Sequence, residues 1–295
     1  MTLRASSGSS GRASDAGLVV VDKPGGITSH DVVARVRRLG GTRKVGHAGT
    51  LDPMATGVLV LGLNRATRLL GHLTLTDKRY TATIRLGVTT TTDDAEGEVV
   101  ESRPAESLRE TDVRSALSAF LGEIDQVPSA VSAIKVAGKR AYARVRDGEH
   151  VDLPARRVTV HSLDVTALAL PSLEIDVRCS SGTYIRAIAR DLGAALEVGG
   201  HLTALRRTAV GPFTVDDART LDELDASFTM TPIADAARAC FPALDLSDDE
   251  VTSVRVGRAL DVGLDALTAL FAPDGEFLAL YEPRGGAARA VAVFV

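Results

Sequence analysis

Alternating apolar and polar positions divide the chain into short strands and helices. LVVVDKP at 18–24 is a β-rich run stopped by Pro24 and the Gly25-Gly26 turn. Beyond it, Thr28 or Ser29 is placed to cap a helix whose Val32, Val33, Val36 and Leu39 recur at helical spacing. GVLVLGL at 57–63 is the longest apolar run. It suits a buried strand and falls far short of the roughly 20 residues a membrane-spanning helix needs. YTATIRL at 80–86 alternates with a period of two, which puts Tyr80 on the buried face of a half-exposed strand. Residues 111–124 set Val113, Leu117, Phe120, Leu121 and Ile124 on one face of a predicted helix. SLEIDVRCS at 172–180 alternates again. Over 180–196 the period changes to that of a helix, with Ile185, Ile188 and Leu192 recurring and Ser181 or Thr183 available as the cap. Tyr184 and Arg186 then fall in the first turn of a helix, just past a strand end. Near the end of the chain, Asp274-Gly275 marks a hairpin within 271–283.

Between these elements lie two informative polar stretches. GHAGTLDPMATG at 46–57 is too rich in Gly and Pro for helix or regular strand, and reads as a shaped loop. TTTTDDAEGE at 89–98 reads as a second loop. The first 17 residues are Ser-, Gly- and Ala-rich without the apolar core of a secretory signal, and are expected to form a disordered lead-in. A composition shift past residue 215 and Pro242 place a domain boundary near residue 240.

Composition sharpens this picture. With 45% hydrophobic residues over 295, the chain can bury a substantial core and has length for two. Two cysteines exclude a disulfide framework and a four-thiol metal site, and fit a reducing, cytoplasmic setting. The net charge of -4 argues against a nucleic-acid binder until it is divided. Residues 1–215 carry 28 Lys and Arg against 23 Asp and Glu, a net +5, whereas 216–295 carry 6 against 15, a net −9. Within 133–146, Lys135, Lys139, Arg140, Arg144 and Arg146 occur with Tyr142 and no acid. That pattern fits a phosphate-tracking patch, and equally a solvated basic face.

Asp52 is the single acid of the 46–57 loop, where Gly49 and Gly57 permit unusual backbone angles. Alone, an Asp-Pro step reads as an Asx turn, and the loop lacks the lysine of a phosphate-binding P-loop. His47 has no second metal ligand at coordinating spacing. Taken singly, Tyr80, Tyr184 and Arg186 read as a core tyrosine, a core tyrosine and a surface cation.

Seven strings change that weighing: LVVVDKPGGITSHDVV, KVGHAGTLDPMATGVLVLG, KRYTATIRLG, DAEG, SAIKVAGKRAYARVR, CSSGTYIRAIARDLG and GGHLTALRRTAVG. In order and spacing they resemble the bacterial TruB family of tRNA pseudouridine-55 synthases, over about residues 18–215. The resemblance implies a mixed α/β fold with a largely antiparallel mixed sheet. It also implies a catalytic domain over 18–240 and a small β-barrel of the PUA type over 241–295, where the match is loose and the acidity unexpected. Asp52 matches the family's nucleophile, Tyr80 the tyrosine stacked on the target ring, and Arg186 the arginine paired with the nucleophile. His47, Tyr184 and Leu205 match positions around a flipped uridine. Lys135, Lys139, Arg140 and Arg144 lie where the family contacts the T arm of tRNA.

The chemistry fits this implication. Moving uracil from N1 to C5 attachment consumes no water, so one carboxylate suffices where a hydrolase needs an acid and a base. Neither cofactor nor metal is implied. The implied partner is tRNA, with no membrane or protein partner and a monomeric state. Two alternatives remain at this point: a guide-RNA-dependent pseudouridine synthase subunit sharing the GHAGTLDP-type loop, and a tRNA-binding folding chaperone.

Overall fold

The computed structural model describes residues 16–129, 135–136, 139–140 and 153–295. The expected lead-in lies outside the described residues except for Ala16 and Gly17, which are ordered: Ala16 is buried and Gly17 opens β1 (Gly17–Lys23). After it come α1 (Ser29–Leu39), β2 (Val45–His47), β3 (Thr56–Leu63), α2 (Leu70–Thr74) and β4 (Lys78–Leu86). The middle of the chain adds β5 (Val88–Thr90), β6 (Val99–Ser102), α3 (Glu110–Ser118) and β7 (Gly122–Gln126), then a short pairing of β8 (Lys135–Val136) with β9 (Lys139–Arg140). Next are β10 (Arg156–Ala169), β11 (Ser172–Cys179), α4 (Ile185–Ala195), β12 (Gly200–Val210), β13 (Phe213–Thr214), α5 (Leu221–Ala226), β14 (Thr231–Pro232) and α6 (Ile233–Cys240). The chain closes with β15 (Ala243–Asp245), α7 (Asp248–Arg255), β16 (Thr268–Phe271), β17 (Phe277–Arg284) and β18 (Ala287–Val293).

Ten strands form the principal sheet among the described residues, in the order β14-β1-β3-β12-β4-β11-β10-β7, with β2 and β13 alongside. The pairing of β3 with β12 is parallel, and the other pairings in this sheet are antiparallel. The expected mixed α/β fold with a largely antiparallel sheet is therefore present. The two kinds of apolar pattern have separate causes. β1 and β3 are continuously apolar because both faces are covered: Val19, Val21, Leu59 and Leu61 pack against α1, and Leu18, Val20, Val58 and Val60 join a second core. β4 alternates because its Tyr80, Ala82 and Ile84 face is buried while Arg79, Thr81 and Arg85 are exposed.

Four local expectations change. The predicted helix over 111–124 stops at Ser118, and Gly122 adopts a left-handed φ of 85° that starts β7, so Ile124 pairs with Val158. Leu121, assigned to the apolar face, is exposed. α4 has no side-chain cap from Ser181 or Thr183; instead the Gln126 amide brackets the Tyr184 peptide, with Tyr184 N–H donating to Oε1 at 2.8 Å and Nε2 donating to the Tyr184 carbonyl at 3.0 Å. The 46–57 loop begins within β2, which pairs with Leu61–Leu63. The C-terminal strands form a four-stranded sheet in the order β15-β16-β17-β18 rather than a closed barrel among the described residues. Closure is unnecessary, because both faces are already covered. Leu270, Leu278 and Tyr281 pack with Val254 of α7, while Phe271, Phe277 and Leu280 join Ala236 and Ala237 of α6 and the β1–β3 face. The apolar packing thus runs across residue 240.

The feature that positions the site is a split in the sheet. β12 pairs with β3 over Arg206–Thr56 and Arg207–Gly57, after which β3 turns to β2, leaving room for the 48–55 loop. At the split Gly57 has φ 97°, and a Cβ there would lie 2.2 Å from the Arg207 carbonyl. Gly57→Ala is expected to cost more than about 2 kcal/mol, because left-handed strain of roughly 1–2 kcal/mol adds to a backbone clash. Gly26→Ala, with φ 82° but open space around it, is expected to cost about 1 kcal/mol from strain alone. Urea denaturation of both variants checks the order.

Candidate active site

The 48–55 loop is held from three sides. Ser29, the first residue of α1, donates its hydroxyl to the Leu51 carbonyl (3.0 Å) and accepts from the Leu51 N–H (2.9 Å). Lys23, at the end of β1, is fully buried, and its Nζ donates to the carbonyls of Pro24 (2.8 Å), Ile27 (2.6 Å) and Pro53 (3.1 Å). Arg207 of β12 reaches the carbonyls of Gly49, Thr50 and Val58. α1 itself is fixed by the expected cap, a reciprocal pair between Thr28 and Asp31.

So held, the loop presents Asp52 to a cavity of about 270 Å³, also lined by Tyr80, Tyr184, Arg186, Leu205 and Lys78. Asp52 Oδ2 lies 3.1 Å from Arg186 Nε. Arg186 is only 4% exposed, whereas the Asp52 side chain is 36% exposed, so the carboxylate faces open space and its cation does not. Tyr80 and Leu205 share the buried face of β4 and β12, and Tyr184 stands at the N-terminus of α4. His47 ends β2, with its ring edge-on to His30 at 5.9 Å, and is not among the residues lining the cavity. Arg144 and the side chains of Lys135, Lys139 and Arg140 lie outside the described residues.

Sequence reasoning missed four members of this site. Asp94, at the tip of the 89–98 stretch, is buried, and its Oδ2 lies 3.2 Å from Arg186 Nη1. Its other oxygen accepts from the Thr92 hydroxyl and, at 3.1 Å, from the Glu96 N–H. Arg186 also donates to the Thr92 carbonyl at 2.8 Å. The 89–98 stretch is therefore no free loop; it is folded onto α4 and shares Arg186 between two acids. Asp191, five residues further along α4, pairs with Arg190 instead of Arg186. Lys23, Lys78 and Arg207 are the other three. Their signal was present in the strands: Lys78 shares parity with Tyr80, and Arg207 with Leu205, which puts a cation on each core face.

The electrostatics follow from burial. Enclosure pushes the Asp52 pKa up; the Arg186 charge opposes this and Asp94 adds to it. Desolvation outweighs the attraction of Arg186, which is also shared with Asp94, so the carboxyl is raised despite its adjacent cation. Burial also lowers Lys23 and Lys78 to about 8 and raises the Tyr80 phenol and Glu96. The arrangement is a partly enclosed cavity with one presented carboxylate, cations around it, and aromatic and aliphatic walls.

The comparisons with known proteins agree with this geometry. The described fold superposes on pseudouridine synthase structures. One is a chain of "Crystal Structure of a Cbf5-Nop10-Gar1 Complex", with TM-score 0.72 and 28% identity over 95% of this chain and 85% of that one. Another belongs to "Structure of H/ACA RNP bound to a substrate RNA containing 2'-deoxyuridine", with TM-score 0.71, 27% identity and the same coverage. The model for the TruB family pseudouridylate synthase N-terminal domain matches residues 37–185. The tRNA pseudouridylate synthase B C-terminal domain matches 186–243, and the C-terminal model of tRNA pseudouridine synthase II matches 241–295. Relatives called tRNA pseudouridine synthase B include one from Arthrobacter sp. (strain FB24), 58% identical over 94% of this chain and 96% of its own. Another, from Thermobifida fusca (strain YX), is 59% identical over 94% and 98%. The class is thus that of the pseudouridine synthases, which are isomerases. Within it, the chain belongs to the TruB family, whose members modify tRNA.

Because the folded-state pKa of Asp52 lies above its ordinary value, the folded protein binds that proton more tightly than the unfolded chain between the two values. Stability contributed there falls as pH rises through that window. Asp52→Asn is therefore expected to raise Tm at neutral pH, with the gain vanishing as pH drops below the ordinary carboxylate range of about 4. Thermal unfolding of both proteins as a function of pH checks this; an equal gain at every pH would remove burial as the cause.

Proposed function

We propose that this chain converts uridine 55 in the T loop of tRNA to pseudouridine, with Asp52 as the nucleophile acting on a uridine flipped out of the RNA. The observation that carries the reading is the single carboxylate, paired with a buried arginine, at the floor of a cavity walled by Tyr80, Tyr184 and Leu205. A base stacked in RNA hides C1′ and C6, so the target ring must leave the stack to meet Asp52. A cavity of about 270 Å³ has room for one base rather than a run of stacked ones. Tyr80 and Tyr184 supply stacking surface and Leu205 an apolar wall.

In the reaction the N1–C1′ bond breaks, C5 joins C1′, the C5 proton leaves and N1 gains one. Atoms balance without water, metal or cofactor. The same carboxylate serves attack at C1′, addition at C6 or assistance to elimination across C1′–C2′. In the last route Tyr80 would take the C2′ proton, and it would have to act against the burial that favours its neutral phenol. Arg186 holds Asp52 aimed and opposes its protonation, while Asp94 holds Arg186.

The basic segment with Lys135, Lys139, Arg140 and Arg144 is proposed to track the T-arm phosphates, and His47 to help displace the base. Residues 18–240 would form the catalytic unit and 241–295 the accessory one. The enzyme would act in the cytoplasm as a monomer. Among the described residues no helix is long and apolar enough to cross a membrane. The Cbf5 chains are only about half as similar to it in sequence as the TruB relatives, which favours action without a guide RNA.

Purified protein is expected to release tritium from 5-tritiated uridine in unmodified tRNA with no guide RNA and no added protein. Asp52→Asn is expected to abolish release while leaving tRNA binding intact. Arg186→Ala should lower kcat far more than it raises KM. Silence of the wild-type protein would sink the stand-alone reading, and continued release by Asp52→Asn would remove Asp52 as nucleophile.

A further inference from the structure

Arg207 is unusual for a surface-seeking residue type: it is 1% exposed, within the sheet. Among the described residues its side-chain hydrogen bonds go to backbone carbonyls rather than to a carboxylate. Nε donates to the Val58 carbonyl at 2.7 Å, Nη2 to Gly49 at 3.1 Å and Nη1 to Thr50 at 3.4 Å. The guanidinium lines the same cavity as Tyr80, and its charge acts on the phenol there. These partners explain its place. Where β3 parts from β12, the Val58 carbonyl loses a neighbouring strand, and the loop carbonyls at 49 and 50 have none. Buried carbonyls require donors, and a planar fork of five N–H groups reaches several at once.

Two glycines of the 46–57 motif are fitted to the same side chain and its backbone. A Cβ on Gly57 would strike the Arg207 carbonyl, and one on Gly49 would lie 3.7 Å from Nη1. Both have left-handed φ values, 97° and 103°. The Gly49–Gly57 frame and Arg207 thus form one fitted unit, with Asp52 between the glycines along the chain and Tyr80 lining the same cavity as the guanidinium.

We propose that Arg207 is a positioning residue of the reaction. It sets the Asp52 loop and the Tyr80 phenol at a fixed separation, so that a ring entering between them meets both. The inference rests on the roles proposed above for Asp52 and Tyr80. Lysine cannot replace it, since an ammonium is a point charge without the fork geometry. Arg207 lines the cavity at only 1% exposure, so in this reading it acts through the loop and the phenol rather than by holding the RNA strand.

Single-turnover tritium release from tRNA, tRNA affinity by filter binding and guanidinium rescue test this together. Arg207→Lys and Arg207→Gln are expected to cut the turnover rate about 100-fold or more, the scale of a 1 Å misplacement, with KM and Kd changed little. In Arg207→Ala, methylguanidinium added at millimolar concentration is expected to restore rate saturably. Arg206→Ala, on the neighbouring surface pair with Asp22, is expected to keep wild-type rate and show no response. Wild-type rate in Arg207→Lys, or loss of tRNA affinity equal to the loss of rate, would overturn the proposal. So would a folded Arg207→Ala that methylguanidinium does not rescue; if that variant does not fold, the Lys and Gln variants decide. Wild-type release run alongside separates the two readings. If it and the variants are equally active, only the role of Arg207 falls.

Discussion

Backbone carbonyls without a neighbouring strand are the constraint around which this molecule is arranged. The 48–55 loop leaves the sheet where β3 and β12 diverge, and a buried carbonyl left without a donor costs on the order of 1–3 kcal/mol. Cations supply the donors: Lys23 bonds the Pro53 carbonyl and Arg207 bonds three more. Each such cation is expensive to desolvate, and that cost appears in the lowered pKa of Lys23, about 8. The same groups surround Asp52 with positive charge. A device required by hydrogen bonding is thereby an electrostatic environment for a carboxylate.

Arg186 joins the remaining parts. It lies on α4, whose entry is bracketed by Gln126 at the end of β7, and it is shared by Asp52 on one loop and Asp94 on another. One turn further, Arg190 reaches Asp93 and the Val127 carbonyl. Three separate stretches of chain therefore converge on one short helix. Its N-terminal turn is placed by tertiary partners rather than by a cap of its own.

The division of charge also takes on structural content. Part of the acidity past residue 215 is used within the fold: Asp245 with Arg238, Glu276 with Arg255, and Asp225 with Arg35 of α1. The last pair draws an acidic residue of the C-terminal third onto the cationic helix beside the site. Such exposed pairs contribute at most about 1 kcal/mol each.

Much of this was legible along the chain. The continuous runs at 18–23 and 57–63, the alternation at 80–86, the Thr28 cap and the Asp274-Gly275 turn each depend on local propensity and on a face turned to core or solvent, which period and residue type encode. Asp52, Tyr80, Arg186, Tyr184 and Leu205 were singled out through family resemblance, and the structure brings them to one cavity. What sequence periodicity could not reveal was decided by contacts distant along the chain. Helix 111–124 gave way at Gly122 because β7 is required opposite Val158. Asp94 looked like part of a solvated loop because its partner lies 92 residues away. The direction of the Asp52 pKa depends on enclosure and on how Arg186 is shared, and both exist only after the sheet has closed around the loop. Pattern specifies which face of each element is apolar; it carries no information on which buried charges will meet.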